Sequence, residues 1–144
     1  MKKLYSFFAI FTLTAVSAFG ATDYGLTVGG VDVTSDNCSN ITSEHIKKYS
    51  SATDDEYYIK YDPSTKTLTF KNILIERTGS YNRAILNEDV DGLKIVFLGK
   101  NELSAEDSSP VRLNNNTTIT VPEGGELRVY GGDEDGITVG NGKT

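Results

Sequence analysis

The residues best equipped for chemistry lie in short acidic stretches. "EDVDG" at 88–92 and "GDEDG" at 132–136 each contain Asp-x-Asp-Gly, and "AEDSS" at 105–109 adds Glu106 and Asp107. Carboxylates gathered in turns are hard oxygen ligands of the kind calcium takes, roughly six to eight at a time with backbone carbonyls included. Neither Asp-x-Asp-Gly is followed by a bidentate Glu at the EF-hand distance. Three arrangements are therefore open. Calcium could be held by Glu106, Asp107, Asp133 and Asp135. Arg77 or Arg83 could neutralise the acids as a ladder, or the turns could splay into water.

Saccharide recognition is the second chemistry on offer. It uses exposed aromatic faces beside hydrogen-bonding groups, and Trp is absent from the chain. Tyr81 and Tyr130 are the candidate platforms, with Arg112, Asn115 and Asn116 as polar companions. Tyr57, Tyr58 and Tyr61 form a further aromatic group. Catalytic constellations are scarce. His45 is the one histidine, in a polar segment without a cysteine or histidine at ligand spacing, and reads as a surface residue. No G-x-S-x-G, P-loop or G-x-G-x-x-G occurs. Glycoside hydrolysis needs two carboxylates about 5–9.5 Å apart across a cleft, and a lyase needs an Arg or Lys base over a calcium-bound uronate. Arg112 is the only residue to suggest for the latter, and nothing marks it as a base. The residues read as non-catalytic, with a polysaccharide lyase as the enzyme alternative.

Positioning such turns requires a regular scaffold, and the sequence contains one. "IVFLGKNELSAEDSSPVRL" at 95–113 and "ITVPEGGELRVYGGDEDGI" at 119–137 are one pattern written twice. A shift of 24 sets Ile95 on Ile119, Phe97 on Val121, Leu103 on Leu127, Ala105 on Val129 and Leu113 on Ile137. A backward shift of 27 sets Ile95 on Leu68, Phe97 on Phe70, Val111 on Ala84 and Leu113 on Leu86, with a slip of one or two residues needed at Ile73 and Ile75. Each unit holds three short alternating segments separated by Gly, Asn, Asp and Ser turns, with no helical period. Propeller blades need nearly twice this length. The expectation is an all-β parallel β-helix of about two and a half coils, 24–27 residues each, over 63–144. A β-sandwich is the alternative, with hairpins across Gly99 and Gly124-Gly125 in place of Ile95 beside Ile119. Asn87 and Asn114, each following a leucine, are expected to stack as a short ladder at one corner, or simply to favour turns there.

Residues 24–62 are expected to cap this stack. "YGLTVGGVDVTS" alternates around a Gly29-Gly30 hairpin turn, "TSEHIKKY" at 42–49 could form one short helix capped by Thr42 or Ser43, and Asp62-Pro63-Ser64 makes a turn. Nothing comparable follows "GNGKT", so the coils are expected to continue past Thr144, to fray, or to be covered by a partner. Lys2-Lys3 and the mostly apolar run after them have the layout of a secretory signal peptide, cleaved after Ala18 or Gly20. Removing those twenty residues takes two lysines and no acid, which leaves 12 Lys+Arg against 20 Asp+Glu, a net charge of −8. That charge disfavours nucleic acid and acidic membrane surfaces as partners. The single Cys38 can form no internal disulfide and reads as a small, semi-buried residue.

"YGLTVGGVDVTSDN", "YDPSTKTLTFKN", "DVDGLKIVFLGKNELSA" and "TTITVPEGGELRVYGGDEDGITVGNGKT" cover nearly all of the mature chain. In that order they resemble secreted parallel β-helix proteins of anaerobic gut bacteria, often described only as carbohydrate-binding-domain-containing. The chain departs from them in its polar 36–56 insert and in Pro122-Glu123. The resemblance implies a right-handed β-helix at the cell exterior or in the periplasm that binds polysaccharide, sometimes with calcium, and it transfers no catalytic residues. A structural or adhesive scaffold that binds protein is the alternative.

Overall fold

The structure is a computed structural model that describes residues 20–140. The proposed signal peptide lies almost wholly outside the described residues, and the last four residues lie outside them too. The chain is all-β: thirteen strands, and no helix among the described residues. They are β1 (Asp23–Val28), β2 (Val31–Thr34), β3 (Ile46–Lys48), β4 (Tyr58–Asp62), β5 (Thr67–Lys71), β6 (Ile73–Arg77), β7 (Ile85–Asn87), β8 (Leu93–Leu98), β9 (Lys100–Ala105), β10 (Val111–Leu113), β11 (Thr117–Thr120), β12 (Glu126–Gly131) and β13 (Ile137–Val139).

These strands form three sheets, ordered β13-β10-β7-β1-β2, β11-β8-β5-β4 and β12-β9-β6-β3. From β5 to β10 every strand pairs parallel with the strand three later in the chain. Ile95 pairs beside Ile119 and Leu68 beside Ile95. β8 and β9, on either side of Gly99, belong to different sheets, as do β11 and β12 on either side of Gly124-Gly125. The first four strands behave differently. β1 runs antiparallel to β7, β3 to β6 and β4 to β5. The sheets therefore begin with β2, β4 and β3 and end with β13, β11 and β12.

Register explains the core. Partner residues in parallel strands point to the same side, so apolar residues two apart stack into columns. Phe70 sits against Phe97 with ring centroids 4.9 Å apart and planes 26° from parallel. Leu68, Ile75, Ile85, Ile95 and Leu103 are fully buried in the same core. The column positions in the last strands are less covered: Ile119, Leu127 and Val129 are half-buried, and Ile137 is 40% exposed.

The expected 24-residue register holds only for β8 on β11. Leu103 pairs with Val129, not Leu127, and Leu113 pairs with Val139, not Ile137, so the spacing there is 26. The cause is a turn of unequal length. Three residues, Phe97 to Gly99, carry the chain from the last β8 pair to the first β9 pair, whereas five, Val121 to Gly125, do so from β11 to β12. The earlier match needs a one-residue slip, as Ile75 pairs with Leu103 at a spacing of 28. Further on it fails: Val111 pairs with Ile85, not Ala84, because the turn 78–84 is longer than 106–110.

The expected Asn87–Asn114 ladder is absent as well. Asn87 pairs with Leu113 and is buried, accepting from the Val90 amide and donating to the Val90 carbonyl and Thr117 Oγ1. A different asparagine pair, Asn72 and Asn101, is built into another corner. Asn72 Oδ1 accepts from the Lys100 amide at 3.1 Å, and Asn101 Oδ1 accepts from the Ile73 amide at 3.2 Å. Both are buried, and each satisfies backbone groups that leave their ladder at the turn.

Residues 24–62 correct one expectation and keep others. Residues 42–49 do not form a helix. Ile46–Lys48 is a strand on β6, and Ser43 Oγ donates to the Gly29 carbonyl while accepting from the His45 amide. Pairing with a buried neighbour outweighs the weak helical preference of so short a segment. The Gly29-Gly30 turn links β1 to β2 as a two-residue hairpin, both glycines at positive φ. Asp62 turns the chain into β5, its Oδ1 accepting from the Ser64 amide and hydroxyl. Cys38 is a free, half-buried thiol against the core. The polar insert is tied down by Lys71, whose Nζ lies 2.7 Å from Asp54 and 2.6 Å from Glu56. The Lys71 hydrogen bond holds the Asp54 carboxyl below its ordinary range. No helix among the described residues is long and apolar enough to cross a membrane.

Burial that falls away toward β13 predicts a gradient of mutational cost. Leu103→Ala should destabilise by about 2–5 kcal/mol, and Leu127→Ala, at a half-covered position, by about 1–2 kcal/mol. Equilibrium urea unfolding of the two variants measures the difference.

Candidate functional site

The turns 106–110 and 132–136 are equal in length and lie between strands that pair at the same spacing of 26. They therefore stack residue on residue, Glu106 over Gly132 and Asp107 over Asp133. Gly132 is required there: a Cβ at that position would fall 1.5 Å from the Glu106 carbonyl oxygen. Any side chain would drive the two turns apart.

Between and beside these turns lies an open depression of about 520 Å³, lined by Ser109, Gly132, Asp133, Glu134, Asp135 and Thr138. Ser109 is buried at its base. Its amide and hydroxyl both donate to Glu134 Oε2, at 3.1 and 3.3 Å, and its Oγ also bonds Thr138 Oγ1. Glu134 is the acid that ties the turns together, and it was not among the expected site residues. The run of three acids in "GDEDG" gave no means of separating it from Asp133 and Asp135, because its role depends on a serine one turn away.

The expected calcium ligands Glu106, Asp107, Asp133 and Asp135 are brought to adjacent turns, and all four are exposed. Among the described residues, no three Asp, Glu, His or Cys side chains converge so as to hold a metal ion. The arginines are engaged elsewhere. Arg83 Nη1 donates to the Ser109 carbonyl at 2.9 Å, and Arg77 reaches the Gly29 carbonyl and Asn82 Oδ1. Among the described residues, no ion pair joins either arginine to the four acids.

The five expected saccharide contacts are dispersed. Asn115 is buried, its amide donating to the Glu88 carbonyl, so it belongs to the corner and not to a ligand. Asn116 is exposed and donates to Asp91 Oδ1 at 2.9 Å. Arg112 is half-buried, with Nε on Asn114 Oδ1. Tyr130 is exposed on β12, in a different sheet. Tyr81 stands apart from the rest. It is 84% exposed at the tip of the 78–84 turn, and it holds a positive φ of 66°.

That backbone conformation is unfavourable for a bulky residue and persists only where the surroundings impose it. Asn82 imposes it here. Its side chain donates to the Thr78 carbonyl and accepts from Arg77, while its own carbonyl accepts from Ser108 Oγ at 3.0 Å. Ser108 lies in the next turn of the stack. The Tyr81 turn, the 106–110 turn and the 132–136 turn thus form one continuous ridge, carrying an aromatic ring at one end and acids with hydroxyls at the other.

Compared with known proteins, the chain matches no family model, no curated protein and no solved structure.

The close approach at Gly132 is directly testable. Gly132→Ala should destabilise by about 2–4 kcal/mol, because backbone cannot yield as a side chain can. Gly136→Ala, whose Cβ would meet Val129 Cγ1 at 3.3 Å, should cost about 1 kcal/mol or less. Denaturant unfolding monitored by circular dichroism separates the two.

Proposed function

We propose that the three sheets are the faces of a parallel β-helix, and that the protein is a secreted, non-catalytic polysaccharide-binding protein whose contact ridge centres on Tyr81. The uninterrupted parallel pairing from β5 to β13 supports the solenoid reading, and the resemblance of the sequence words to secreted β-helix proteins agrees with it. The carrying observation for binding is Tyr81, a fully presented aromatic ring on a backbone held in an unfavourable conformation. Such strain is kept where presentation of the side chain matters. A sugar ring stacked on Tyr81 would find donors and acceptors in Arg83, Glu106 and Asp107 along the ridge. Binding proceeds without a metal in this reading, since no carboxylate cluster among the described residues supports one.

Affinity electrophoresis through gels containing pectin, xylan, glucan or mucin glycans tests the proposal, with calcium and then with EDTA. Retardation by at least one glycan is expected, undiminished by EDTA. Tyr81→Gly should weaken it about tenfold, the scale of one lost aromatic contact, while leaving thermal stability unchanged or higher because glycine accepts positive φ freely. No retardation in any gel, or retardation that Tyr81→Gly leaves intact, contradicts the proposal.

A further inference from the structure

The parallel strands of one sheet, β5, β8 and β11, contain no acidic residue, in a chain that has 20. Both other sheets contain them: Asp23 and Asp32 in one, Glu76, Glu102 and Glu126 in the other. Leu68, Phe70, Ile95 and Phe97 are buried, so the side chains between them form the opposite face of the acid-free sheet. Register sets that face in rows. Thr67, Lys94 and Thr118 make one row, and Thr69, Val96 and Thr120 the next. Lys60 on β4 stands opposite Thr69 and extends the second row. Lys60 and Lys94 are exposed, and among the described residues neither forms an ion pair. Lys60 Nζ lies 4.9 Å from the centroid of the Tyr58 ring. The third lysine, Lys71, is occupied by Asp54 and Glu56. Asp62, at the end of β4, is the one acid on the face, and its Oδ1 is turned onto the Ser64 amide and hydroxyl.

From this arrangement we propose that the outer face of the β4–β5–β8–β11 sheet binds a linear acidic polysaccharide. Its anionic groups pair with Lys60 and Lys94, and its hydroxyls lie along the threonine rows. The Tyr81 ridge joins the other two sheets and contributes no residue to this face, so the inference stands independently of that site. Lys60 and Lys94 are two strands and two residues apart, about 12 Å between Cα atoms at ordinary sheet spacings. Lys60 also leans toward Tyr58, on the side away from Lys94. One anionic sugar does not bridge them. An exposed lysine–anion contact is worth little alone, but a polymer that reaches both lysines makes the second contact intramolecular. Affinity therefore belongs to the chain and not to its monomer. Acids elsewhere repel such a polymer from the rest of the molecule, and Asp54 and Glu56 keep it off the Lys71 side of the face. Single-stranded nucleic acid, another linear polyanion, is held by stacking bases on aromatic rings. The one aromatic ring on this face, Tyr58, is half-buried and lies beneath Lys60.

Biolayer interferometry tests the inference, with polygalacturonate, dextran sulfate, uncharged dextran and poly(dT) each immobilised by one end. The protein is used with Tyr81→Gly in place, which removes the ridge from the measurement and lets the two readings fail separately. Binding to polygalacturonate, dextran sulfate or both is expected, and which of them binds says whether carboxylate or sulfate is the group recognised. Dextran and poly(dT) should not bind, and free galacturonate monomer should not compete. Lys60→Glu with Lys94→Glu should weaken binding about tenfold or more, since two attractions become repulsions. Lys60→Arg with Lys94→Arg keeps the charge and should keep the affinity. Both positions are exposed, and thermal melts verify that the variants fold. Four results overturn the proposal: no binding to either charged polysaccharide, binding that the glutamate variant leaves intact, equal loss in the arginine variant, or poly(dT) held as tightly.

Discussion

Everything in this molecule depends on parallel strands laid in register, so that each buried side chain rests on the equivalent side chain of the strand beneath. Phe70 on Phe97, Leu68 on Ile95 and Ile75 on Leu103 are the contacts that make the sheets converge on one core. A slip of one residue would turn each of these to the wrong face. Neighbouring turns at one corner differ in length by up to two residues, yet the columns are kept, because the additional residues are absorbed in the turns and not in the strands.

The corners bear the polar cost of that construction. Where the chain leaves a sheet, backbone groups lose their ladder partners and must be satisfied otherwise. Asn72 and Asn101 do this at one corner, Asn87 and Asn115 at another, and Ser109 with Glu134 at the third. Each side chain so used is unavailable to a ligand. That is why Asn115 proved structural, and why the display of Tyr81 above a pinned Asn82 stands out from its surroundings.

Much of this was legible in the residues. Alternation and the recurrence of apolar positions identified the strands, the Gly29-Gly30 hairpin and the Asp62 turn, and they paired Ile95 with Ile119 and with Leu68. Three things were not legible. Loop lengths displaced the register after Gly99 and again after Arg77, since periodicity cannot say how many residues a turn will absorb. The segment 42–49 carried cap and charge signals of a helix, but its fate was decided by β6, distant in sequence. The asparagine corner was placed at Asn87 and Asn114 when Asn72 and Asn101 form it. "FKN" and "GKN" contained the signal, but only the spacing of 28 between β6 and β9 brings the two together. For the site, acidity drew attention to the turns 106–110 and 132–136, and the role of Glu134 required knowing where Ser109 lies.

The parallel register is the claim on which the proposed solenoid and the ridge both rest. Nuclear Overhauser effects between Ile95 and its neighbours, on protein with selectively labelled isoleucine, leucine and valine methyls, address it most directly. The account predicts strong cross-peaks linking Ile95 to Leu68 and to Ile119, with none linking β8 to β9 as paired strands. Cross-peaks showing β8 and β9 paired antiparallel across Gly99, without contact between Ile95 and Ile119, would contradict it.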